Sequence, residues 1–67
     1  MLITLNNEPH STNADTLEAL LLDHLGAIPT AGLAVAVDGV VVPRSQWSSQ
    51  LLTDGSVIDV LSAVQGG

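Results

Sequence analysis

The sequence predicts an α+β domain, a mixed sheet of four to five strands with one main helix packed on one face. Three observations carry the prediction. Two apolar, β-rich runs, "MLITL" and "SVIDVLSAV", stand at opposite ends of the chain. Between them lies "DTLEALLLDHLG", with helical apolar spacing and a stop signal. A third segment, "AVAVDGVVV", reads as a hairpin, because Asp-Gly suits the two positive-φ positions of a type I′ turn.

The elements follow in order. Met1–Leu5 reads as a strand and Asn6-Asn7 as its turn. "EPHST" returns as a short strand that Pro9 confines to an edge or a bulge. The helix spans Thr16–Leu25, with Asp15 as N-cap and Glu18 three residues on in capping-box spacing. Leu17, Leu20, Leu21 and Leu25 form its apolar stripe, and Gly26 ends it. "AIPTAG" is a loop in which Pro29 blocks continuation. The hairpin register pairs Val37 with Val40 and Val35 with Val42, leaving Ala36 and Val41 on the other face. One helix covers only one sheet face well, so some Val or Leu on the other face is left exposed, a candidate partner surface. After Pro43, Ser45 caps a short helical turn carrying Trp47, and "TDG" turns into the last strand, Ser56–Ala63. That strand is continuously apolar and is placed centrally. With the first strand as its neighbour, the two run parallel. The order β-β-α-β-β-β then resembles the β-grasp, or ubiquitin-like, fold.

At 67 residues the chain reads as one domain, residues 1–63, followed by a flexible tail, residues 64–67, ending in Gly-Gly. There is no cysteine, so disulfides, thiolate metal sites and thiol nucleophiles are excluded. Seven carboxylates face one cation, Arg44, for a net charge of −6. That balance argues against nucleic-acid and anionic-membrane binding, which need Lys and Arg. It favours a basic partner surface, or simply keeps an apolar domain soluble. No signal peptide and no membrane-spanning run is visible, so a cytoplasmic protein is expected. The catalytic inventory is nearly empty. His10 and His24 lie on different elements without metal-ligand spacing, and His24 supports the helix dipole. No metal site and no enzyme activity is expected of the chain by itself.

The terminal "QGG" differs from the rest. Two residues without Cβ pass through a channel too narrow for side chains and accept any backbone conformation imposed on them. The reactive group there is the α-carboxylate of Gly67, which acylates nothing until its oxygen becomes a leaving group. This suggests a carrier whose terminus another protein activates.

"AVAVDGVVVPRSQW", "DG" and the C-terminal "DVLSAVQGG" resemble the ThiS family, the sulfur carrier proteins of thiamine biosynthesis. The resemblance implies that a ThiF-like adenylyltransferase, using ATP and Mg²⁺, converts the Gly67 carboxylate to an acyl-adenylate. A sulfur-donor protein then supplies sulfur, leaving a covalent thiocarboxylate on Gly67, and a ThiG-like thiazole synthase accepts it. Gly66 and Gln65 would enter both active sites, Gln65 standing where many relatives have a further Gly. The absence of Lys and Cys leaves no side-chain amine or thiol in cis to intercept the activated terminus. Arg44 and Trp47 each have two readings. Arg44 bonds loop carbonyls or Asp54, or contacts a partner. Trp47 packs at the core's edge, or contacts a partner. The alternatives to the whole are a carrier of the molybdopterin-synthase small-subunit type and a ubiquitin-like interaction domain without terminal chemistry.

Overall fold

The computed structural model describes residues 1–28 and 32–62. The elements are β1 (Leu2–Leu5), β2 (Glu8–Ser11), α1 (Leu17–Leu25), β3 (Leu33–Val37), β4 (Val40–Val41), a 3₁₀ turn over Arg44–Gln46, and β5 (Val57–Ser62). Five strands form one sheet in the order β2-β1-β5-β3-β4. β1 and β5 pair parallel, and the other neighbours pair antiparallel. The last strand is central, as its apolar run predicts, and Pro9 sits on the edge strand β2. Both predicted tight turns form. Asn6 and Asn7 have φ of +50° and +69°, and Asp38 and Gly39 have +52° and +85°. Each pair matches the double positive φ of a type I′ turn.

One sheet face is covered. Ile3, Leu5, Val35, Val37 and Ile58 point to it and pack with Leu17, Leu20 and Leu21 of α1 in one core. The three leucines are fully buried, a gross contribution of about 1.5–3 kcal/mol each. Leu25, read as part of the stripe, is 39% exposed, one turn beyond the covered region. Val40 pairs with Val37 but, on the two-residue edge strand β4, is 67% exposed.

The helix start differs from the sequence reading. Its N-cap is Thr16, whose Oγ1 accepts the Ala19 N–H at 3.2 Å. The box with Glu18 does not form, since the third helical residue is then Ala19. Asp15 is drawn away because its carbonyl accepts the Leu52 N–H at 2.9 Å. Leu17 and Glu18 donate their N–H groups to the carbonyls of Gln50 and Trp47. The segment after the hairpin thus satisfies the first two helix amides, which have no intrahelical partner. Gly26 ends the helix as predicted, with φ +80° and its N–H on Leu22 O at 2.8 Å. Ser45 lies inside the 3₁₀ turn and caps nothing; Pro43 precedes it. Pro29 and Ala63 lie outside the described residues.

Candidate functional site

The strand that leads to the C-terminal residues is held at its near end and along its length by turn side chains. Asp38 accepts the Val57 N–H at 2.9 Å through Oδ1, while its own N–H donates to Val57 O at 2.7 Å. Asn6 Oδ1 accepts the Val60 N–H at 2.8 Å. Asp54 Oδ1 accepts the Leu2 N–H at 2.8 Å, fastening the turn before β5 to the start of β1. These three Asx side chains close backbone donors that the short ladders leave open. The sequence marks Asn6 and Asp38 as turn residues; their bonds to β5 are tertiary and have no local signal.

The uncovered face of the sheet is apolar. Strand alternation puts Leu2 and Thr4 of β1, Val57, Asp59 and Leu61 of β5, Ala34 and Ala36 of β3, and Val41 of β4 on it. Leu2, Leu61 and Val41 are 56%, 68% and 69% exposed. Asp59 stands within this surface, cross-strand from Ala36. The expected exposed patch is therefore present, and it lies on the strand that runs toward residues 64–67.

Trp47 is in the core, 2% exposed, with its indole N–H donating to Val42 O at 2.9 Å. Its burial leaves little surface for a partner to touch. Arg44 is exposed, and its guanidinium carbon lies 4.7 Å from the Trp47 ring centroid, a cation–π contact. Asp54, read as one partner for Arg44, has its Oδ1 on the Leu2 N–H. Gln65, Gly66 and Gly67 lie outside the described residues. His10 and His24, read as separate, are brought together across β2 and α1 with ring centroids 6.0 Å apart at 78°. Sequence spacing missed this because the contact bridges two elements. Among the described residues no group of three or more His, Asp or Glu side chains is arranged to hold a metal ion.

A mixed sheet of order 2-1-5-3-4 with a single helix across one face defines the class: this is a β-grasp, or ubiquitin-like, domain. The sequence model of the ThiS family matches residues 3–67. The chain belongs to the ThiS family. The Escherichia coli (strain K12) sulfur carrier protein ThiS is 38% identical over 37 residues, which are 55% of this chain and 56% of that protein. The aligned stretch thus spans little more than half the length of that relative. The crystal structure of the thiamine biosynthesis protein ThiS from Geobacter metallireducens covers all of both chains with a TM-score of 0.77 at 24% identity. The solution structure of a thiamine biosynthesis protein from the same organism has a TM-score of 0.73, covering 100% of this chain and 88% of that one. These two likenesses bear on the fold.

Proposed function

We propose that the chain is a sulfur carrier of thiamine biosynthesis, a carrier rather than a catalyst. The observation that carries this reading is the family match, which runs through Gly66 and Gly67. In this reading residues 1–63 form the docking domain and residues 64–67 the working tail. An oxygen of the Gly67 carboxylate attacks the α-phosphorus of ATP, bound with Mg²⁺ in a ThiF-like adenylyltransferase, and pyrophosphate leaves. A hydrosulfide equivalent from a sulfur-donor protein adds to the acyl carbon, the bond to AMP breaks, and a proton is released. The product is a thiocarboxylate, from which a ThiG-like thiazole synthase takes the sulfur. Gly66 and Gln65 thread the two active sites. The family assignment favours the thiazole route over a molybdopterin-type carrier.

The described structure supports the docking half of this reading. The open apolar face adjoins the strand leading to the tail, so a partner seated there receives the terminus as well. With a chain charge of −6, the partner surface would be basic at its rim. In this reading the protein works in the cytoplasm. Among the described residues no helix is long and apolar enough to cross a membrane.

The test extends the chain by a few residues after Gly67. A carrier so extended supports no ATP–pyrophosphate exchange with the adenylyltransferase, although its fold and docking are unchanged. An extended chain that works as well as the parent would move the reading to an interaction domain without terminal chemistry.

A further inference from the structure

We propose that Asn6 is a positioning residue for the C-terminal tail, its side chain replacing a missing rung of the sheet at Val60. The proposal rests on the carrier reading above. β1 and β5 pair at Thr4↔Val57 and Leu5↔Ile58. The Thr4 N–H donates to Ser56 O and the Asn6 N–H to Ile58 O, both at 2.9 Å. In a parallel ladder, donors alternate evenly between the two strands. The next donor is the Val60 N–H, and the regular acceptor for it is the backbone carbonyl of Asn6. The chain leaves the ladder at that residue, with φ +50°, to enter the turn toward β2. Asn6 Oδ1 takes the Val60 N–H instead, at 2.8 Å.

Beyond this rung the described pairing of β5 is with β3 alone, through Leu61↔Ala34 and Ser62↔Leu33. Among the described residues the Asn6–Val60 bond is the last tie of β5 on the β1 side. Position 6 has two requirements. It tolerates a left-handed backbone, and it carries an acceptor on Cγ. Asn and Asp meet both. Gly meets only the first. A tail that must enter two narrow active sites gains from a fixed line of departure, because a misdirected tail must be redirected before the carrier binds, which lowers its apparent affinity.

The test uses the full chain and its Asn6→Gly, Asn6→Asp and Asn7→Gly variants. Amide hydrogen exchange at Val60 reads the rung. ATP–pyrophosphate exchange with a ThiF-like adenylyltransferase reads tail delivery. Asn6→Gly keeps the positive φ and removes the acceptor. Val60 protection is expected to fall about fivefold, the factor a single net hydrogen bond supplies. KM for the carrier is expected to rise by a similar factor with kcat unchanged. Asn6→Asp restores both readings. Asn7→Gly alters the same turn, where φ is +69°, without touching the rung, and leaves both unchanged. If Asn6→Gly does not fold, Asn6→Ser, whose oxygen falls one bond short, gives the same direction. Unchanged Val60 protection, or lost protection with an unchanged KM, overturns the proposal. A parent chain that supports no exchange overturns the carrier reading and the positioning role with it. A parent that exchanges beside an unaffected Asn6→Gly chain overturns the positioning role alone.

Discussion

Trp47 and Arg44 lie against each other, the indole in the core and the guanidinium on the surface. The indole is buried with its N–H on Val42 O, and the guanidinium lies over its ring. Replacing Trp47 with Ala removes the largest core side chain and leaves a cavity, so a loss of about 3–5 kcal/mol is expected, read by urea denaturation. In a domain this small that loss approaches the whole folding free energy. Arg44→Ala removes an exposed cation–π contact, and about 0.5–1 kcal/mol is expected from the same measurement. Adenylation kinetics of that variant separate the two readings of Arg44. An unchanged rate leaves it structural, and a reduced rate at unchanged stability makes it a partner contact. The burial of Trp47 was legible only as a preference for the core, because a lone aromatic between polar residues has no periodicity to place it.

At the scale of elements, the strands, the helix and both turns were legible because their signals are local: alternation, leucine spacing, and the Asn-Asn and Asp-Gly dipeptides, of which Asp-Gly also marked its turn as type I′. The helix start was misread, since Asp15 and Thr16 are both good caps in isolation. The choice is made by Leu52, which bonds the Asp15 carbonyl from 37 residues away. Mutation tests this directly. Thr16→Ala is expected to cost about 1 kcal/mol in thermal unfolding, and Asp15→Ala to stay within about 0.5 kcal/mol of the parent. Equal losses would contradict the assignment. Gly26→Ala meets no atom within 4 Å, so its cost is backbone strain at φ +80°, about 1–2 kcal/mol. The side-chain ties from Asn6, Asp38 and Asp54 were not legible, because each closes a donor on a strand distant in sequence.

At the scale of the whole fold, among the described residues one sheet face builds the core and the other is left open, with Leu2, Val41 and Leu61 exposed on it. That division was legible from the count of elements alone. Which residues populate the open face required the register. Leu61→Asp puts a charge on a side chain that is 68% exposed, so stability is expected to change little. In the carrier reading, binding to a ThiF-like adenylyltransferase is expected to weaken about tenfold or more, and binding of the parent to weaken with added salt. Unchanged affinity would move the docking surface elsewhere. The most direct test of the carrier reading is the intact mass of the chain after incubation with an adenylyltransferase, ATP and a sulfur donor. The account predicts a gain equal to exchanging one oxygen for one sulfur, located on the peptide ending in Gly67. No gain, with enzyme and donor active on another carrier, would contradict it.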